Sequence, residues 1–257
     1  MKSFEFLLPK RNNKPRDSGF TMVLDKGLGL ENARSLMEIC GEYVDFLKFG
    51  WGTSILHDKD IVMEKIEMYK SFDIIPYTGG TLFEIAYLND KIEEFFIEAE
   101  NMGFEAIEIS NGSTDMSEEE KLEFIKIAKN KNFFVLSEVG KKSVAKDKRI
   151  TLQERIDAIK EELNAGSDLV IMEGRESGKN IGIYDKSGDL KLDLVDAIKC
   201  KVDVNKILWE APNKNQQVDL VLNLGPNVNL GNISTNDITS VETIRRGLRG
   251  DTVGKVN

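Results

Sequence analysis

The sequence predicts an α/β protein built as a single (β/α)8 TIM barrel. Three observations carry that expectation. A short β-branched or aromatic run recurs eight times along the 257 residues. Each run leads into a stretch with helical spacing of apolar positions, so that one repeat measures about 30 residues, the size of a βα unit. Polar or Gly residues close every run rather than one or two of them. That favours a closed barrel over an open sheet that binds ligands at a switch point.

The strand runs begin near Phe20 (FTMVLDKG), Tyr43 (YVDFLKFGWG), Phe72 (FDIIPYTGG) and Phe104 (FEAIEISNG). The remaining four begin near Asn132 (NFFVLSEVGKK), Ser167 (SDLVIMEGRESG), Asn205 (NKILWEAPNK) and Pro226 (PNVNLGNIS). A helix over residues 31–41 is closed by Gly41 as its cap. A second, over residues 60–71, sets Ile61, Met63, Ile66 and Tyr69 on one side. Ser117 with Glu120, and Thr151 with Glu154, have the spacing of capping boxes and open two more helices. A last helix is expected over residues 237–247. Residues 176–188, with Gly178, Gly182 and Gly188, read as a long loop or small hairpin. No break in composition divides the chain, so one barrel domain is expected over residues 1–257, with 1–19 as an N-terminal extension.

Composition excludes several classes of function. With 40% hydrophobic residues the chain can bury a core and is not of disordered type. No apolar run reaches the roughly 18 residues of a membrane span, and Glu5 and Pro9 interrupt the apolar start that a secretory signal needs. The net charge of −9 argues against a nucleic-acid partner. A small anion can still be held by a local group of Lys and Arg. Cys40 and Cys200 form no metal-spaced pair. They fit a cytoplasmic protein and are expected to be packing residues on helices. His57 alone cannot build a His-rich zinc site and reads as a surface-loop residue.

Alternate residues of a barrel strand face the interior. By that parity Asp25, Lys48, Glu108, Glu138, Glu173, Arg175, Glu210 and Asn229 are expected to point inward near the C-terminal strand ends, where barrel active sites lie. Lys26 and Lys141 lie just beyond strands one and five. Gly79-Gly80-Thr81 allows a ligand to approach the backbone closely. A fold-only ion pair, such as Lys48 with Glu108, would account for any one of these charges. Burying the whole set without a purpose would cost several kcal/mol per ion. The carboxylates exceed the cations by one charge, which would repel an anionic substrate unless a divalent cation reversed the balance. Carboxylates suit Mg²⁺. For a phosphate two regions compete. One is the pair of loops after strands seven and eight, with Lys214 and Asn232. The other is the Arg175-Glu176-Ser177-Gly178-Lys179 segment, where Arg can grip an oxyanion. Arg245, Arg246 and Arg249 fall at the opposite face.

Several blocks together resemble the phosphosulfolactate synthase family. They are Lys48-Phe49-Gly50-Trp51-Gly52-Thr53-Ser54, Gly79-Gly80-Thr81-Leu82-Phe83-Glu84, Ser137-Glu138-Val139-Gly140-Lys141, Glu173-Gly174-Arg175-Glu176-Ser177-Gly178, Glu210-Ala211-Pro212-Asn213-Lys214 and Leu248-Arg249-Gly250-Asp251-Thr252. The resemblance runs from about Phe20 to Thr252. It implies a Mg²⁺-dependent (β/α)8 barrel of the carbon–sulfur lyase class that adds sulfite to phosphoenolpyruvate, giving (2R)-3-sulfolactate 2-phosphate. The product would serve coenzyme M biosynthesis or sulfolactate biosynthesis. The opening segment, residues 8–16, looks more like bacterial members of the family. The resemblance implies Lys141 as general acid, and the inward and strand-end charges make Lys48, Lys26 and Asp25 further expected catalytic residues. Arg175, Ser177, Gly80, Asn229, Asn232 and Lys214 are the expected substrate-binding residues, and Glu138, Glu108, Glu173 and Glu210 the expected metal ligands. Asp25 and Glu210 would alternatively orient Lys26 and Lys48. A homo-oligomer is expected. The alternatives are another phosphocarboxylate lyase or aldolase barrel, or a non-enzymatic protein of the plant heat-stress branch on the same fold.

Overall fold

Eight parallel strands close on themselves in chain order in the computed structural model, which describes residues 2–256. They are β1 (Thr21–Asp25), β2 (Phe46–Phe49), β3 (Ile75–Thr78), β4 (Ala106–Ile109), β5 (Phe134–Val139), β6 (Leu169–Met172), β7 (Ile207–Glu210) and β8 (Leu230–Ser234). β8 pairs with β1 to shut the barrel, with a register shift between Thr21 and Val23. The helices form the outer layer. α1 (Leu30–Cys40) follows β1 and α2 (Lys59–Lys70) follows β2, while α3 (Gly80–Leu88) and α4 (Ile92–Met102) follow β3. α5 (Glu118–Asn130) follows β4, and α6 (Val144–Asp147) and α7 (Leu152–Ala165) follow β5. α8 (Leu192–Lys199), α9 (Lys214–Leu224) and α10 (Ile238–Arg245) follow β6, β7 and β8.

Local chemistry explains the boundaries. Ser117 with Glu120 and Thr151 with Glu154 form the expected capping boxes, and Asn213 with Gln216 forms a third, at the start of α9. Gly41 ends α1, its N–H bonded to the Met37 carbonyl. On α2 the buried stripe is Val62, Ile66 and Tyr69. Ile61, expected on that face, is exposed, because the stripe steps by four and three residues from Val62. Residues 176–188 form a loop, held at its far end by one antiparallel bridge from Tyr184 to Leu190.

Strand parity produces two cores. Val23, Leu47, Ile107, Val135, Val170 and Trp209 face outward into the helix layer. Met22, Phe46, Tyr77, Ala106, Leu136, Leu169, Ile171 and Leu208 fill the interior. Phe46 packs edge-on against Phe20 and Tyr77 and tilted against Phe134. This aromatic floor fills the lower interior, and the interior cavity found among the described residues lies towards the C-terminal strand ends.

The segment before β1 lies along the N-terminal face and is fastened by three cations. Arg11 pairs with Glu242 at 2.8 Å and Arg16 with Asp45 at 2.6 Å. Lys14 Nζ donates to the carbonyls of Gly41, Phe72 and Asp73 at 2.9–3.0 Å. Arg245 is buried at the same face, where it donates to the carbonyls of Pro226, Val228 and Phe20.

Three expectations are corrected here. Asp25 does not face the interior. It follows the inward Leu24, and its carboxylate accepts hydrogen bonds from Lys65 Nζ and Tyr69 of α2 at 2.6 and 2.9 Å. Asn229 does not lie near the top. It precedes β8 at the N-terminal end, where it accepts from the N–H groups of Gly19 and Phe20 and donates to the carbonyls of Asn205 and Ile207. Cys40 is buried as expected, but Cys200, just beyond the end of α8, is exposed.

Burial pushes the Lys14 ammonium down to about 8 from 10.5. Between those values the unfolded chain binds a proton that the folded chain has released, so Lys14 makes stability rise with pH across that window. The wild type is expected to gain urea resistance relative to Lys14→Met between pH 7.5 and 9.5. Urea midpoints of the two proteins at both pH values check this, and a constant difference would refute it.

Candidate functional site

Above the aromatic floor, the last inward residue of several strands is charged. Lys48, Glu108, Glu138, Glu173 and Glu210 converge on a cavity of about 290 Å³ at the C-terminal strand ends. Lys142, Arg175, Glu176, Trp51, Thr81, Ser113 and Asn232 complete its walls. All five converging side chains are buried, so each must find its partners within the protein.

Lys48 Nζ lies 2.8 Å from Glu108 Oε2 and 3.7 Å from Glu210 Oε1. Burial works against the Lys48 ammonium. Glu108, aided by Glu210 and Glu138, outweighs it and holds the pKa well above the ordinary lysine value. The other Glu108 oxygen accepts the Gly80 N–H at 2.8 Å. Here Gly is required, because a Cβ on Gly80 would come within 2.6 Å of Glu108 Oε1 and the Ser110 side chain. Glu210 accepts the N–H groups of Gly174 and Arg175 at 2.9 and 3.0 Å.

Glu138, Glu173 and Glu210 form a buried acidic group, with one oxygen from each within 4.8 Å of the others. Burial raises the Glu173 pKa well above the carboxylate range, and the neighbouring Glu138 and Glu210 charges raise it further. Burial also raises Glu210, against the pull of Lys48. Glu138 goes the other way, since Lys142, Lys48 and the Ser110 hydroxyl overcome its burial and lower its pKa. Glu173 Oε2 is buried without a hydrogen-bond partner. Three converging carboxylates with an orphaned oxygen are the donor set of a hard divalent cation. This triad could therefore bind a metal. Glu108 lies outside it, committed to Lys48 and Gly80.

Other expected residues are dispersed. Arg175 has a left-handed φ of 58°. Its N–H donates to Glu173 at 2.6 Å and its Nη1 to the Lys142 carbonyl at 2.6 Å. Asn232 lines the cavity with its Oδ1 unpartnered. Lys26 sits at the rim, paired with Glu176 and 4.9 Å above the Trp51 ring. Lys214 is turned to Asp251 at 2.5 Å, and Ser177 is exposed with its carbonyl taken by Asn213. Neither lines the cavity. His57 is exposed, as expected.

Lys141 is also outside. Its Nζ donates to the Asn111 carbonyl at 3.2 Å and lies 3.5 Å from Glu118, in a separate groove with Arg149 and Glu154. Burial lowers its pKa. Lys142 occupies the cavity instead, with Nζ 3.2 Å from Glu84 Oε1, 3.3 Å from Thr81 Oγ1 and 3.9 Å from Glu138 Oε1. Burial opposes its charge, but Glu138 and Glu84 raise its pKa overall. Sequence reasoning missed Lys142, Glu84 and Ser110. Lys142 was signalled only by the doubled Lys after strand five. Gly140, at φ 135°, turns the chain there, so that strand parity no longer says which Lys points in. Glu84 lies four residues along the helix from Gly80, at a spacing that keeps it on the face looking back into the barrel mouth.

The family model for (2R)-phospho-3-sulfolactate synthase matches residues 9–251. The chain belongs to the (2R)-phospho-3-sulfolactate synthase family. It is 55% identical over 257 residues to the phosphosulfolactate synthase of Methanothermobacter thermautotrophicus, covering 100% of both chains. Against the phosphosulfolactate synthase of Bacillus subtilis it is 42% identical over 253 residues, covering 98% of this chain and 99% of that one. Taken whole, the chain is more similar to the Methanothermobacter synthase than to the Bacillus one. Among solved structures, 3-keto-L-gulonate-6-phosphate decarboxylase from Vibrio cholerae O1 biovar El Tor superposes with a TM-score of 0.57 at 13% identity, covering 89% of this chain and 96% of that one. That likeness shows the barrel fold alone.

Lys48 is the nearest cation to Glu108, so Lys48→Met leaves a buried carboxylate without its counter-ion. The substitution is expected to lower unfolding free energy by about 3 kcal/mol. Adding Glu108→Gln to it should recover part of the loss, and urea denaturation of the single and double variants measures both.

Proposed function

We propose that this member of the synthase family is a carbon–sulfur lyase that adds sulfite to phosphoenolpyruvate with Mg²⁺, giving (2R)-3-sulfolactate 2-phosphate. One observation carries the reading: the buried acidic triad and the ammonium groups of Lys48 and Lys142 face the same cavity. This addition needs no protein nucleophile, because sulfite brings its own lone pair. It needs positive charge to gather anions and a proton donor at the adjacent carbon.

The sulfur lone pair forms the C–S bond at the methylene carbon, and the double-bond electrons move towards the carboxylate, leaving an enediolate. A proton then goes to the carbon bearing the phosphate. Glu138, Glu173 and Glu210 would hold Mg²⁺, whose charge offsets that of the substrate anions. Lys48, fixed by Glu108 and Glu210, presents an ammonium to the carboxylate as charge develops on it. Arg175 and Asn232 line the wall where an anionic group can be gripped. Lys26 at the rim attracts incoming anions.

The donor role that the sequence points to in Lys141 passes to Lys142. Lys141 faces a different groove, whereas Lys142 Nζ stands in the cavity wall beside Glu138. Its raised pKa keeps it protonated at neutral pH, and an enediolate carbon is basic enough to take that proton. The donor's position on one wall would fix which face is protonated. Asp25 and Asn229 serve the barrel's packing, so no substrate role is proposed for them. Nothing in the cavity favours a non-enzymatic reading, since a scaffold has no use for this buried cluster.

Purified protein mixed with phosphoenolpyruvate, sulfite and Mg²⁺ is expected to lose the enol absorbance only when all three are present, with the phosphate ester kept. No loss from folded, metal-loaded protein would overturn the reading. Lys142→Met should lower kcat by about 10²–10⁴-fold, while Lys141→Met stays within a few-fold of wild type. The reverse ranking would return the donor role to Lys141.

A further inference from the structure

We propose that Glu84 is a positioning residue that holds Lys142 away from Glu138, and so keeps the Glu138, Glu173 and Glu210 group open to a divalent cation. The inference rests on the metal reading above and assigns a task to a side chain that reading leaves unused. Glu84 belongs to α3, not to the barrel, yet it is only 2% exposed. Its carboxylate accepts the Ser113 N–H at 3.2 Å and stands 3.2 Å from Lys142 Nζ.

An ammonium in this cavity is drawn to its most negative region, where three carboxylates converge. Direct pairing there would occupy an oxygen that a cation needs. Lys142 stops short, at 3.9 Å from Glu138 Oε1, because two α3 side chains, Glu84 and Thr81, take its hydrogen bonds at 3.2 and 3.3 Å. Ser110 bridges Glu84 and Glu138. Its Oγ lies 2.5 Å from Glu84 Oε1 and 2.8 Å from Glu138 Oε1, and a hydroxyl carries one proton. That proton is shared between the two carboxylates. Glu84 thus takes the ammonium that would otherwise close on the acidic triad.

The test is equilibrium binding of Mn²⁺, followed by its electron paramagnetic resonance signal, to substrate-free wild type, Glu84→Gln, Lys142→Met and the double variant. Glu84→Gln is expected to bind about tenfold more weakly than wild type, and the loss should shrink to under about threefold in the Lys142→Met background. Equal losses in both backgrounds would mean that Glu84 acts only as a distant negative charge, and would overturn the proposal. So would a Glu84→Gln affinity equal to that of wild type. Should Glu84→Gln fail to fold, as judged by its thermal melt, Glu84→Asp is compared instead. It keeps the charge but not the reach, so it should still weaken binding when Lys142 is present, and unchanged affinity refutes the idea. Wild type that binds no Mn²⁺ would remove the metal reading itself, and the proposal with it. Wild-type binding that is indifferent to Glu84 would remove only the proposal.

Discussion

Five charged side chains give up their water at the mouth of this barrel, and much of the local architecture follows from that loss. A buried carboxylate is tolerable only where cations or N–H donors surround it. Lys48 is therefore wedged between Glu108 and Glu210. The backbone at Gly80 and at residues 174–175 is bent so that its N–H groups meet Glu108 and Glu210. Arg175 adopts a left-handed conformation, uncommon for a residue with a side chain, and its N–H reaches Glu173 and Glu210 from there. The loops at this end are shaped by the carboxylates they serve. Glu173 keeps one oxygen unsatisfied, which marks where the protein's own donors run out.

The same constraint explains what was legible in the sequence. Lys48, Glu108, Glu138, Glu173 and Glu210 face the interior as their parity predicts, because a strand has a strict two-residue period and a charge cannot sit against the apolar helix layer without a partner. Asp25 shows where that second premise fails. Lys65 and Tyr69 of α2 give it the partners it needs in the helix layer, and nothing in the local sequence of β1 reveals a lysine forty residues away. Asn229 was misplaced for a different reason. Parity says which way a side chain points but not where the strand begins, and Asn229 lies just ahead of β8.

Beyond the strand ends the period stops, and so does the inference. Lys141 and Lys142 are neighbours in sequence, yet one enters the groove with Glu118 and the other the central cavity. The difference is set by the turn at Gly140, which has no periodic signature. Glu84 and Ser110 escaped for a related reason. Their importance comes from an encounter between α3 and the end of β4, a tertiary meeting that neither element announces alone. Family membership, by contrast, was readable early, since the blocks that carry it are these strand ends and the loops that follow them.

The aromatic floor formed by Phe20, Phe46, Tyr77 and Phe134 packs the base of the barrel. Above it the cavity is walled by Trp51 and Glu176, with Lys26 held beside both. Arrival and departure at this cavity therefore share the rim at the C-terminal strand ends. The floor meets the charged layer directly, since Tyr77 is the register partner of Lys48 across β2 and β3, so the closed base and the working mouth are a single residue apart.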